Sequence, residues 1–334
     1  SQIIQSVSTA LASFIHSAPN QIVSTKGAID GVLQFIKRII TPPAPEPRAL
    51  YIDGLIINLL IFCGHKLGSL QNEILKVVLN RLFSAKMPSL RQTMLFVFVR
   101  MICQNPKAVF SLLIDTHVPN SSSSALPSII DFWMKTHEDF ISKYRIKISV
   151  LAMIKLFELN DSRINNMKVS GDLIVDVNEG RQTRGSSKGK KVDRYQQIPF
   201  LVKLTKLMIE DHMALMDAYD SDSGSFSDDD DDWALQQAMI AGNSSELGSP
   251  FADASAYSSV LDEALKVGSK FDEFDDDQED NVAQHDPLNK IDLKSHLSEF
   301  LKKIFATHPQ KDAIKSMLNK IEVHYLTNKV FSTS

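Results

Sequence analysis

Few groupings in this 334-residue chain have the residue types and spacing that chemistry requires. The run Gly185–Lys191 (GSSKGKK) sets three residues between its glycines where a phosphate-cradling loop needs four. It also lacks the following Ser or Thr, and no hydrophobic strand leads into it, so no nucleotide site is expected there. Asp220-x-Asp222 begins like a calcium loop, but Gly224 stands where the next ligand belongs and no Glu closes the loop. Five consecutive aspartates, Asp228 to Asp232, would collect divalent cations only diffusely. The nine histidines are scattered: His137-Glu138 lacks the second His of a metalloprotease helix, and His212 beside Asp211 reads as a capping or solvent-facing residue. Cys63 and Cys103 both lie in apolar helical patterns and read as core. With no CxxC, neither a disulfide scaffold nor a structural zinc site is expected, and a reducing compartment fits best. No catalytic residue, metal ligand or cofactor is nominated, and the chain does not read as an enzyme.

Charge is the more informative feature. Asp217 to Asp286 holds 20 Asp/Glu against 2 Lys, a net of −18 in 70 positions. The whole chain sums to −4, so the other 264 residues carry +14. The candidate binding residues in the acidic block are Asp220, Asp222, Asp228, Asp229, Asp230, Asp231, Asp232, Asp275, Asp276, Asp277, Glu279 and Asp280, with Trp233 as an aromatic anchor. A self-repelling, apolar-poor stretch cannot recover the entropy of ordering, so 220–285 is expected to be disordered. Its chemistry suits a strongly basic partner, whose lysine-rich surface it would shield; the plainer reading is a solubilising spacer. Ahead of it, Glu179–Arg194 carries six Arg/Lys, including Arg181, Arg184, Lys188, Lys190 and Lys191. This basic loop reads either as an interaction segment or as a solvated loop. It lacks interleaved aromatics apart from Tyr195, so no direct nucleic-acid binding is expected.

The elements around these segments read as helices. From Gln2 to about Asn166 apolar residues recur at spacings of three and four, as in Ile74, Val77, Val78, Leu82 and in Ile146, Val150, Met153, Phe157. Pro88, Pro106, Pro119 and Pro127 fall at helix starts or in loops. Paired helices with short loops predict an all-α solenoid of stacked hairpins, and the irregular spacing suits HEAT repeats. Lys168 to Val177 alternates and is β-branched, predicting one or two short strands. A helix is expected over Ile198–Ala218, and helical turns within the islands Trp233–Ala241 and Tyr257–Val267. An amphipathic helix opens after Asp286-Pro287, and a last one spans Gln310 to Tyr325. The expected divisions are 1–167, helical pairs; 168–197, strands and basic loop; 198–219, a helix; 220–285, the acidic insertion; and 286–327, the closing helices. The longest uncharged apolar run, Gly54–Gly64, is about half a membrane span, so no membrane insertion is expected. The chain starts with Ser directly in a helical pattern, which reads as a fragment of a longer protein.

The residues RQTR (Arg181–Arg184), IPFLVK (Ile198–Lys203), an acidic insertion carrying Trp233, and DPLNKIDL (Asp286–Leu293) together resemble the importin-9 class of the importin-β transport receptors. The pair of helices over Ala49–Met87 is similar to a family helical pair, whereas the stretch after Phe305 finds no counterpart. The resemblance implies a HEAT-repeat superhelix. It also implies a nuclear import receptor shuttling between cytoplasm and nucleus, with basic cargo such as core histones and ribosomal proteins. Release would be controlled by the GTPase Ran, which such receptors bind mainly in an N-terminal half not expected in this chain. Nucleoporins are a further class of partner implied. The alternative is a helical scaffold that binds partners through apolar grooves, with both charged loops as passive spacers.

Overall fold

The computed structural model describes residues 2–173, 195–222 and 281–332, with side chains described for 2–171, 195–217 and 283–332. Numbered along the described residues, the helices are α1 (Gln2–Ser17), α2 (Pro19–Ser24), α3 (Ala28–Ile40), α4 (Asp53–Phe62), α5 (Gly64–Leu67), α6 (Leu70–Ser84), α7 (Pro88–Gln104), α8 (Pro106–Asp115), α9 (Ala125–Thr136), α10 (Lys143–Leu159) and α11 (Ser162–Asn165). Two strands follow, β1 (Lys168–Leu173) and β2 (Tyr195–Pro199), then α12 (Phe200–Asp222), α13 (Asn281–His285), α14 (Leu293–Thr307), α15 (Lys311–Ser316) and α16 (Lys320–Tyr325). The chain divides into two compact units: Ser1–Ile209 with Asp276–Ser334, and Glu210–Asp275.

Within the first unit the helices stack in two layers. In one, α1 packs on α4, α4 on α7 and α7 on α10; in the other, α3 packs on α6 and α8 on α9, with α6 and α8 covering α7. This is the arrangement of stacked helical hairpins that the periodicity predicts. Position in the stack explains the sequence patterns. The edge helix α3 is amphipathic, burying Val32, Ile36, Ile39 and Ile40. The central helix α7 is covered on all sides, so every residue from Thr93 to Ile102 is buried and no polar face survives in its sequence. Pro88 and Pro106 open α7 and α8, where a missing N–H is harmless. The Pro-rich loop before α4 is tied to the next hairpin. Arg81 donates to the Ala44 carbonyl (2.8 Å), and the Glu46 carboxylate accepts from the backbone N–H groups of Lys86 and Met87 (2.9 and 2.7 Å) at the start of α7. Those two N–H groups hold the Glu46 carboxyl below its usual range.

Three local expectations need correction. Ile198 and Pro199 belong to a strand, not to the first turn of a helix; α12 starts only at Phe200. β2 pairs antiparallel with β1, and Val169 opposite Ile198 supplies an apolar contact that outcompetes helix formation. The closing helix over Gln310–Tyr325 is broken in two. Asn319 caps α16 by accepting from the Glu322 N–H (2.8 Å) while Glu322 accepts from the Asn319 N–H (2.6 Å), a reciprocal box that starts a new helix. His212 and Asp211, in the second unit, are both buried and neither faces solvent. The core assignment of Cys63 holds, and burial pushes the Cys103 thiol up to about 12, outside the nucleophilic range.

Candidate functional site

Most residues nominated from the sequence lie outside the described residues: Asp228 to Asp232, Trp233, Asp275, Asp276, Asp277, Glu279 and Asp280 in the acidic block, and Arg181, Arg184, Lys188, Lys190 and Lys191 in the basic loop. Both helical islands, Trp233–Ala241 and Tyr257–Val267, lie there too. The backbone of Asp220 and Asp222 ends α12. What the structure defines is the anchorage of these segments on the stack.

The basic loop leaves and returns through the β1–β2 ladder, in which Lys168 faces Pro199, Val169 faces Ile198, Ser170 faces Gln197 and, after an irregularity, Leu173 faces Tyr195. Gly171 sits beneath Ile198: a Cβ there would come within 3.0 Å of three Ile198 side-chain atoms, so the close approach needs glycine. The ladder is fastened to α9. Asp131 accepts from the Ser170 N–H (3.0 Å) and pairs with Lys135 (2.8 Å), whose ammonium lies 5.4 Å from the Tyr195 ring centre. Burial alone would raise the Asp131 carboxyl, but the hydrogen bonds from Lys135 and Ser170 outweigh it and hold the group below its usual range. Below the ladder, the Phe200 N–H donates to the Met167 carbonyl (2.9 Å), closing the excursion at its base.

The acidic segment rejoins the described chain at α13. This short helix packs on α1 and α4, with Ala283 buried and the His285 ring stacked on His16 at 4.0 Å between centres. The next residue, Asp286, is buried between α7 and α10. Its carboxylate accepts two hydrogen bonds from Arg100 (2.5 and 2.9 Å), one from the Tyr144 hydroxyl (2.7 Å) and one from the Leu288 N–H (3.0 Å). Burial opposes the charge on Arg100, but the hydrogen bond and negative charge of Asp286 outweigh it and raise its pKa. Lys147 donates to the backbone and side-chain oxygens of Asn289 (2.7 and 3.2 Å), and Asn289 donates to the Ala283 carbonyl (3.0 Å). Residues 283–289 therefore form a strap across α1, α4, α7 and α10 that leads into α14. Helix α14 docks on the end of α10 through Phe157–Phe300 and Glu158–Lys303 contacts.

The sequence reading missed Arg100, Tyr144, Lys147 and Asn289 as a group, and saw Asp286 only as part of a motif. One signal was available: Arg100 is the single charged residue of the run Met94–Cys103, and an isolated charge in an apolar helix needs a buried counter-ion. Among the described residues no cluster of His, Cys, Asp and Glu could hold a metal ion, and no helix is long and apolar enough to cross a membrane.

The model of a family described as importin-11-like, TPR repeats, matches residues 3–328, including the stretch after Phe305 that the motif comparison left unmatched. Importin subunit beta-5 of Saccharomyces cerevisiae is 27% identical over 180 residues, covering 54% of this chain and 18% of that protein. Importin-9 of Drosophila melanogaster is 22% identical over 310 residues, covering 90% of this chain and 28% of that protein. Importin subunit beta-5 of Schizosaccharomyces pombe is 24% identical over 200 residues, covering 60% of this chain and 20% of that protein. The chain thus spans 18–28% of the length of these relatives.

Proposed function

Because this chain belongs to the importin-11-like helical-repeat family, and within the importin-β receptors to the importin-9 class, we propose that it is a cargo-binding arm of a nuclear import receptor shuttling between cytoplasm and nucleus. It acts by binding and has no catalytic role. Its cargo is strongly basic protein, with core histones and ribosomal proteins as the expected class, and release is under Ran control exerted mainly elsewhere in the receptor. The observation that carries this reading is charge segregation: −18 between Asp217 and Asp286 against +14 in the rest. The carboxylates of this block other than the buried Asp286, nineteen in all, facing a lysine-rich surface speed association and compete with the nucleic acid that the cargo otherwise binds. Asp220, Asp222, Asp228 to Asp232, Trp233, Asp275 to Asp277, Glu279 and Asp280 are the residues assigned to this contact. Arg181, Arg184, Lys188, Lys190 and Lys191 are assigned to partner contact or control of release.

Replacing Asp228 to Asp232 by Asn tests the proposal. Affinity for core histones is expected to fall, together with its steepness between about 50 and about 200 mM salt. Unchanged affinity at both salt concentrations would remove the acidic block from the mechanism and leave the helical scaffold with passive spacers.

A further inference from the structure

The strap 283–289 is held differently from the helices beneath it. Of its residues only Ala283 and Asp286 are buried; Gln284 and Pro287 are exposed and His285, Leu288 and Asn289 are half-buried. Its polar attachments include one carboxylate seated on Arg100 and Tyr144, the Asn289–Lys147 bonds and the His16–His285 stack. A buried ion pair adds little net adhesion over an apolar contact, yet losing one partner is severe. The Asp286 carboxylate is therefore the attachment whose loss costs the strap most. Helices α7 and α10, in contrast, bury long apolar runs against each other. A five-residue helix such as α13 has negligible stability of its own once detached. These features favour local opening over opening together with the core.

We propose that Arg100, Tyr144 and Lys147 form a peptide-binding site for an acidic turn of the type Asp-Pro-Leu-Asn, which the chain's own residues 286–289 occupy as a releasable intramolecular ligand. The guanidinium fork fixes the carboxylate from two directions, Tyr144 adds a third donor, and Lys147 reads the carbonyl and amide oxygens three residues on. The Asp286 side chain also accepts from the Leu288 N–H, so the carboxylate shapes the turn it anchors. The ligand class is an extended segment with an aspartate followed by a tight turn. The site is independent of the cargo reading, since it takes an acidic peptide and not a basic protein.

The test uses hydrogen exchange on the full, uniformly 15N-labelled chain, so that its fragments separate by mass from an added unlabelled peptide of residues 281–292. Amides of Leu288, Asn289 and Ile291 are expected to exchange by local opening, ahead of those of α7 and α10. The peptide in excess is expected to accelerate strap exchange further by holding the site open, with no change in α7 or α10. The same peptide carrying Asp286→Asn is expected to compete on the order of a hundredfold less well. Strap amides that exchange only in step with α7 and α10 would make the segment a fixed part of the core and overturn the proposal. Equal competition by the two peptides, or competition by neither, would also overturn it. No variant of the protein is needed, so misfolding cannot mask the answer, and histone affinity plays no part in it.

Discussion

His16 illustrates how a single side chain can make the stack sensitive to pH. Burial, then the charge of His285, hold its pKa below the ordinary 6.5, and burial does the same to His308. The unfolded chain therefore takes up a proton at a higher pH than the folded chain does. Stability from these groups is complete above about 6.5 and drains away as the pH falls through the lowered folded value. Urea denaturation at a series of pH values should show stability falling as the pH drops below about 6.5, with a shallower slope in His16→Gln; an identical slope would contradict the assignment. A second residue, Ser149, carries a buried polar junction. Its hydroxyl accepts from the Trp133 indole N–H (2.8 Å) and bonds the His137 ring (2.8 Å). Ser149→Ala removes the acceptor of a fully buried indole and is expected to cost about 1–3 kcal/mol in chemical denaturation.

At the level of elements, the sequence showed helices where burial is one-sided and blurred them where it is complete. α3 announces itself by alternation of buried and exposed residues, and α7 only by its apolar length and its proline start. β2 was illegible because its evidence is its partner. Ile198 and Pro199 fit a helix start as well as a strand, and only pairing with Lys168–Leu173 across the basic loop decides between them. The break before α16 was legible in principle, since Asn319 and Glu322 have the spacing of a reciprocal cap. The strap could not be read, because Arg100 and Asp286 are 186 positions apart and nothing local links them. Two expectations belong here. Gly171→Val should loosen the ladder by driving branched carbons into Ile198, seen as lost protection of the amides of Val169 and Ser170 with α7 unaffected. Asn319→Ala should lower stability by about 1 kcal/mol through loss of the cap, checked by thermal or urea unfolding.

Across the whole chain, the two charged segments were the most legible features and their anchorages the least. Composition alone separates −18 from +14, whereas the residues that fasten the segments, Asp131 and Asp286, look unremarkable in sequence. Charge of this distribution predicts a behaviour of the molecule as a whole. Binding to a basic protein should weaken steeply with ionic strength, whereas urea stability should depend on it little, because the ion pairs that matter to folding are buried and screened less. Parallel salt titrations of histone binding and of unfolding check this, and equal sensitivity of the two would contradict it.

The bond from the Phe200 N–H to the Met167 carbonyl brings the chain back to where it left the helices. Whatever length of polypeptide is spliced in above that point, the scaffold below sees the same two ends, and the added loop costs only about 0.6 kcal/mol per doubling of its length. The β1–β2 excursion is thus an exchangeable cassette. Evolution, or a designer grafting a tag or sensor between Leu173 and Tyr195, can rewrite its contents without renegotiating the architecture that carries it.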